Sequence, residues 1–406
     1  MAATAFSEQE LLQICRRYEI PCPVCGTANT HYRLKPDIVR PTKTEGDGHP
    51  LGYRWGKPGF DTVDPKWFFW GICSKCRFAG ELDDADFRQA AKLGDEYAKE
   101  FRPDGLRLLI DGGESGKGLA QSLGKRLRDE QPLLAAVARF HLGIFCQTLR
   151  LRVVPGNLAR FYLRIAWLYR DQPVIYPEET IAGVAEDLEP LAKRWERDLP
   201  EHPDYPVKPI LALDEVTALR LSRACFERNY EVLREARPED ELRLRQLLAE
   251  IGYRIYELTS QEDDYRKASS FYSGIMQQCL SIISDKSIVG GVVNRAREML
   301  EPIGDRAREL RELHKARGGS DQVEAEPAAA TAKAKKTAPA KGGSNGSPEA
   351  APKAAPAAPP APAAGTVDQR ELDQARRQTA VMQEELEALR TRVKELEEDS
   401  KKWRQL

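Results

Sequence analysis

Long hydrophobic runs are missing from this 406-residue chain. No apolar stretch approaches the roughly 20 residues that a membrane-spanning helix needs, so no helical membrane span is expected. The opening residues Met1 to Glu10 have no apolar centre and no cleavage-like site, so no secretory signal is expected either. A charge excess is also missing. The 62 Lys and Arg against 63 Asp and Glu leave a net charge of −1. That argues against a globally basic nucleic-acid binder and against a membrane-surface protein. Histidine is sparse, and no Ser-His-Asp, His-Glu-x-x-His or paired-acid pattern stands out, so an enzyme is not expected. Cys15, Cys146, Cys225 and Cys279 are scattered singly in helical patterns. They read as buried free thiols, not a disulfide framework, which points to a reducing compartment, most simply the cytoplasm.

What the chain does have is two cysteine pairs, Cys22-Pro23-Val24-Cys25 and Cys73-Ser74-Lys75-Cys76. A Cys-x-x-Cys turn sets two sulfurs on one side of a tight loop. Two such turns facing each other complete the tetrahedral thiolate shell that structural zinc prefers. Cys22, Cys25, Cys73 and Cys76 are therefore the candidate ligands of one Zn2+. Gly26 follows the first pair, where a left-handed backbone is often needed. Arg77 stands in that place after the second, with Gly80 three residues on, so the second turn is predicted to be less regular. Trp67-Phe68-Phe69-Trp70-Gly71-Ile72 runs into Cys73 as a short apolar strand, the layout of a zinc ribbon. The spacer between the pairs exceeds the roughly 15–20 residues of compact ribbons. Closing such a loop costs roughly 3–4 kcal/mol, against the order of 10–16 kcal/mol that structural zinc supplies, so the insertion is tolerated. His31 and His49 lie between the pairs and either can in principle replace a cysteine. With four cysteines present, both read as ordinary histidines. The competing reading is thiol redox, because Cys22-Pro23-Val24-Cys25 looks like a glutaredoxin-type motif. Such a motif opens a helix, and Gly26-Thr27-Ala28-Asn29-Thr30 is poor helix material.

Ser7 to Glu19 is predicted helical, with Ser7 and Glu10 as a capping box. The insert carries Tyr32, Tyr53, Trp55 and Phe60 among Arg33, Lys35, Arg40, Lys43, Arg54, Lys57 and Lys66. Aromatic and basic residues interleaved in this way can mark single-stranded nucleic-acid binding. Asp37, Glu45, Asp47, Asp61 and Asp64 nearly cancel the charge, so the favoured reading is aromatic packing around the zinc site. From Asp83 onward the apolar period is helical. The predicted helices are Asp84–Phe101, Pro132–Thr148, Leu158–Arg170, Thr180–Leu199 with Pro190 breaking or kinking it, Leu211–Glu235, Glu239–Leu258, Asp264–Ser284 and Ser287–Lys315. Glu201 to Pro209 reads as a proline-rich connection. Leu106 to Ile110 is ambiguous. Asp111 to Gly118 resembles a phosphate-binding loop, but Asp111 stands at the first glycine position and Gly118 at the hydroxyl position, so it is read as a flexible loop. Ala268, Tyr272 and Ile275, with Gly252 and Ile255 before them, match the small-then-aromatic spacing of a degenerate tetratricopeptide-like array. Such an array offers a peptide-binding groove, and a closed helical bundle is the alternative.

Gly318 to Thr366 is rich in Ala, Pro and Lys and reads as a disordered linker. Leu372, Thr379, Leu386, Val393 and Ser400, with Ala375, Met382, Leu389, Leu396 and Trp403, form an a/d seam over the last 40 residues. The expected fold is mainly α in four parts. They are a zinc-ribbon-like module (1–82), a tetratricopeptide-like helical domain (83–317), a disordered linker (318–366) and a coiled coil (367–406).

The segment Cys22-Pro23-Val24-Cys25-Gly26, the long insert, the aromatic strand and Cys73-Ser74-Lys75-Cys76 followed by Ala79 resemble an uncharacterised bacterial family, domain of unknown function 2225. Phe161 to Arg170 looks like that family's tetratricopeptide-like region. The resemblance spans about Ile20 to Ala316. Ser74, Arg77 and Phe78 depart from the family's usual Cys-Pro-x-Cys-Gly-Tyr, while both ligands stay. The resemblance implies a metal site and helical repeats, and no established activity. The expected function is a non-enzymatic zinc-binding scaffold or adaptor. Its helical domain would take a protein partner, and residues 367–406 would self-associate or bind another coiled coil. A nucleic-acid-binding zinc ribbon and a thiol-redox protein are the alternatives.

Overall fold

A computed structural model describes residues 6–82, 87, 95–128, 130–199, 201–202, 204–233, 238–285, 288 and 290–319. The proposed linker (from Ser320 on) and the coiled coil lie outside the described residues. The described residues fall within one compact unit, Met1–Glu326.

The first helix, α1 (Glu8–Ile14), starts on the expected capping box. Ser7 Oγ accepts from the Glu10 amide, and Glu10 Oε2 accepts from the Ser7 amide at 2.7 Å. It ends five residues earlier than predicted. Cys15–Pro21 is strand β1, paired antiparallel with β2 (Ala28–Leu34). Cys15 therefore lies on a strand, not a helix. The ladder to β2 replaces the helical hydrogen bonds on one edge of the segment, and Arg17 fastens the bend through Glu8 and Glu19, both at 2.7 Å. A second hairpin follows, β3 (Val39–Thr44) with β4 (Pro50–Trp55). The apolar run expected as one strand from Trp67 to Ile72 is divided. Pro65 and the Asp64 cap wind Pro65–Phe68 into a 3-10 turn. Only Trp70–Ile72 is strand (β5), paired with β6 (Ala79–Glu81).

The helices are α2 (Asp95–Ala98), α3 (Pro103–Ser115), α4 (Leu119–Gly124), α5 (Pro132–Thr148), α6 (Pro155–Ile175), α7 (Ile181–Asp198), α8 (Glu215–Leu233), α9 (Pro238–Thr259), α10 (Glu262–Ser284) and α11 (Gly290–Ala316). Most of the helix expected at Asp84–Phe101 lies outside the described residues. Its last residue, Phe101, forms an isolated bridge with Arg150 instead of a helical turn. Helix α7 continues through Pro190, anchored on both sides by buried Leu188, Leu191 and Trp195, so the predicted break does not occur.

The clearest departure from expectation is α3. Asp111 to Ser115, read as part of a flexible loop, is helical, and Gly116 closes the helix with φ 64°. The glycines serve close packing. A Cβ on Gly113 would stand 3.0 Å from Cys76 Cα, and one on Gly112 would stand 2.9 Å from the Lys117 carbonyl. Helix α3 thus lies directly against the second cysteine turn.

Three apolar clusters organise the described chain. The largest joins Cys22, Trp70, Cys73, Cys76 and Phe78 to the buried faces of α5 to α8, so strands and helices share one core there. Trp70 stands edge-on to Phe140 and Phe161 at 5.4 and 4.8 Å. A second cluster fills the space between α9, α10 and α11. Here α9 and α10 approach closely, because a Cβ on Gly252 would lie 3.2 Å from that of Ala268, in keeping with the small-residue pattern of the array. The third cluster gathers Leu11, Ile14, Trp55, Phe60, Val63, Trp67 and Phe68. The insert aromatics Trp55 and Phe60 therefore build a core of their own and do not pack around the cysteine pairs, as had been expected. The reason is positional. The β3–β4 hairpin and the 3-10 turn meet α1, while the cysteine turns face α3 to α5.

Candidate metal centre

The two cysteine turns are built alike. The Cys22 amide donates to the Thr27 carbonyl at 2.8 Å, and the Cys73 amide to the Phe78 carbonyl at 2.9 Å. Each turn then aims amides at its own sulfurs. Val24 and Lys75 each donate to the first sulfur of their pair at 3.4 Å, and Phe78 donates to Cys76 Sγ at 3.4 Å. Gly26 takes φ 71° and Arg77 takes φ 64°. The second turn is therefore as regular as the first, contrary to expectation. Arg77 accepts the left-handed conformation that glycine adopts freely. Its stem packs over Gly124, where a Cβ would lie 2.8 Å from Arg77 Cδ.

Cys22, Cys25, Cys73 and Cys76 converge, with all four sulfurs within 4.8 Å of one another. Cys22 Sγ lies 3.6 Å from Cys76 Sγ, and Cys25 Sγ lies 3.5 Å from Cys73 Sγ. Each turn thus reaches a sulfur of the other. Four thiolates at about 2.3 Å from a tetrahedral ion stand about 3.8 Å apart, so the set is shaped to hold a metal ion. All eight cysteines are free thiols. Cys22, Cys73 and Cys76 are at most 3% exposed, which leaves Cys25 as the side nearest solvent.

The electrostatics point the same way. Hydrogen bonds from the Cys22 and Cys76 thiols hold Cys73 far below the ordinary thiol range. Hydrogen bonds with the Cys22 and Cys73 thiols push Cys76 far up, and its burial adds to this. Cys22 is also raised, chiefly by its hydrogen bond with Cys73. A bound dication removes the penalty for the raised thiols, because coordinating thiols are deprotonated outright.

Supports around the sulfurs escaped sequence reasoning. Asn29 Oδ1 accepts from the Ser74 amide at 2.8 Å and ties the first hairpin to the second turn. Gln121 on α4 donates to the Lys75 carbonyl at 2.7 Å. Cys146 Sγ on α5 accepts from the Ala79 amide at 3.3 Å. None of these residues carries a local signal. Only Gly112-Gly113 was visible, and it was visible as a false phosphate loop.

The two histidines go separate ways. His31 is buried edge-on to Phe87 at 4.6 Å and does not belong to the four-sulfur group. Burial pushes its pKa down, against the pull of Cys73 and Glu19. His49 lies elsewhere, held at 2.8 Å by both Glu45 and Asp171. No helix among the described residues is long and apolar enough to cross a membrane.

The family described as an uncharacterized protein conserved in bacteria (DUF2225) matches residues 16–312. No curated protein matches the chain, and no solved structure does.

Proposed function

The chain belongs to the DUF2225 family, and we propose that it is a non-enzymatic scaffold whose N-terminal strands are pinned to its helices by one structural zinc ion. The observation that carries this reading is the convergence of Cys22, Cys25, Cys73 and Cys76 inside the same core as α5 to α8. Four thiolates suit zinc in composition and spacing, and a set of four protein donors leaves no open position for substrate or water. Zinc here would do thermodynamic work. It would fix two turns separated by a long insert and fasten them to α3 and α4.

The helical array α9 to α11, together with the heptad-bearing residues 367–406, would serve protein partners, the latter by self-association or by pairing with another coiled coil. The free thiols support a reducing, cytoplasmic setting. The burial of Trp55 and Phe60 supports a packing role for these rings over base stacking, which weakens the nucleic-acid alternative. The convergence of all four sulfurs, not two alone, weighs against the thiol-redox alternative, which needs a single pair.

The test is metal content by elemental analysis of the purified full chain, alongside a Cys73→Ser/Cys76→Ser variant. The expected result is one zinc per chain, lost in the variant together with amide protection of β1, β2, β5 and β6. A folded, metal-free wild type would overturn the reading and bring redox chemistry forward.

A further inference from the structure

The tip of the β3–β4 hairpin, Glu45 to His49, lies against helices that are far away in sequence. Trp167 Nε1 on α6 donates to Asp47 Oδ2 at 3.1 Å. The Arg170 guanidinium reaches Glu45 and lies 3.1 Å from Asp47 Oδ2, while its Nε donates to Glu215 on α8 at 2.8 Å. Asp171 Oδ1 meets His49 Nε2 at 2.8 Å, and His49 Nδ1 meets Glu45 at the same distance. Asp47 and His49 are 5% and 2% exposed. Gly46 sits so close to the Glu250 carboxylate of α9 that a side chain there would collide with it. The tip is a closed turn in its own right, with the Glu45 amide on the His49 carbonyl at 2.8 Å and the Gly48 amide on the Glu45 carbonyl at 3.0 Å.

Two features set this contact apart from ordinary loop packing. The tip contributes no aliphatic or aromatic hydrocarbon side chain, only two carboxylates, an imidazole and two glycines. Its partners at positions 167, 170 and 171 share one face of α6 by helical spacing and are matched to it group for group. They offer an indole N–H and a guanidinium for the acids and a carboxylate for the imidazole. Charged contacts of this kind give register and specificity more than net stability, because desolvation offsets most of their attraction. The same three groups would recognise a second segment that presents the same chemistry.

We propose that Trp167, Arg170 and Asp171 form a binding site for an acidic turn in a partner protein, of the pattern acid-Gly-acid-Gly-basic, which the chain's own Glu45–His49 occupies in cis and keeps closed. The two acids share Arg170, the glycine between them is required by Glu250, and the basic residue faces Asp171. The site names the chemistry of the partner in the scaffold reading and rests on that reading.

The experiment uses the full chain and a labelled cyclic peptide carrying Thr44 to Pro50, cyclised so that the turn is already formed. The triple variant Glu45→Gln, Asp47→Asn, His49→Gln removes the charges of the tip and leaves the hairpin intact. The expected result is at least tenfold tighter peptide binding to this variant than to wild type, lost again when Arg170→Met is added. Equal binding to wild type and variant would overturn the proposal. So would no binding to a variant whose circular dichroism and melting curve match wild type. Should the variant fail to fold, hydrogen exchange on the wild type decides. Excess peptide is expected to speed exchange at the Gly48 and His49 amides, and no change overturns the proposal. Zinc content measured on the same sample separates the two ideas, because a zinc-loaded chain that ignores the peptide counts against the peptide site alone.

Discussion

Gly26 and Arg77 occupy the same left-handed conformation, φ 71° and 64°, each directly after the second cysteine of its pair. One is the residue best suited to that backbone and the other bears a long side chain. The turn geometry is therefore set by the amide–sulfur bonds and the hairpin closure, and the residue conforms to it. A left-handed non-glycine residue costs roughly 1–2 kcal/mol, an expense that the second turn bears and the first does not.

Gly26→Val is expected to destabilise the chain by about 1–2 kcal/mol, because a β-branched residue is forced to positive φ. Nothing lies within 4 Å of a Cβ placed there, so the loss comes from the backbone alone. Gly26→Asn, which tolerates the left-handed region, is expected to cost less. Thermal unfolding of both variants checks the order. Equal losses would show that a residue's tolerance of the left-handed region does not set the cost.

Gly113→Val tests the support of the metal centre without touching a ligand. Its branched side chain would press on the Cys76 backbone from α3. The expected cost is about 1–3 kcal/mol from overpacking, with faster loss of any bound metal to a competing chelator. Unchanged chelation kinetics would mean that α3 does not brace the second turn.

Gly143→Ala addresses the strand-to-helix contact. The Trp70 ring covers Gly143 on α5 so closely that an added methyl overlaps it. Destabilisation of about 1–3 kcal/mol is expected. A blue- or red-shifted tryptophan emission would report the displaced ring, and an unaltered spectrum and melting temperature would show that the core can repack.

Acid is expected to loosen the seat of the hairpin tip. Burial alone would raise the Asp171 pKa, but the His49 hydrogen bond and Lys66 outweigh it, and the pKa is lowered. Glu45 is lowered in the same way, burial being outweighed by His49 and Arg170. Lowered carboxylate pKa values give stability that is complete above the unfolded values of about 4 and is lost as pH falls through the lower folded ones. Melting temperature followed from pH 6 to pH 3 is thus expected to fall, and Asp171→Asn to flatten that fall. A parallel profile in the variant would remove Asp171 from the account.

The four-cysteine cluster was legible because a Cys-x-x-Cys turn is a local object whose geometry needs few neighbours. The helices from α5 to α11 were legible for a related reason. Their apolar period recurs within each segment, as in Leu188, Leu191 and Trp195, and burial of one stripe suffices to place them. Tertiary structure decided what depends on distant partners. Cys15 to Pro21 became a strand because β2 offered a ladder, and local propensity for helix is a weak preference beside that. Gly112 and Gly113 look like a phosphate loop in sequence, and only the approach of Cys76 reveals them as a packing surface. The seat of Glu45 to His49 joins residues more than 100 positions apart, and no window of sequence holds both sides of it. Local chemistry wrote the cysteine turns and the helices. Long-range contact free energy, which no single segment carries, decided where the strands end and what the hairpin tip touches.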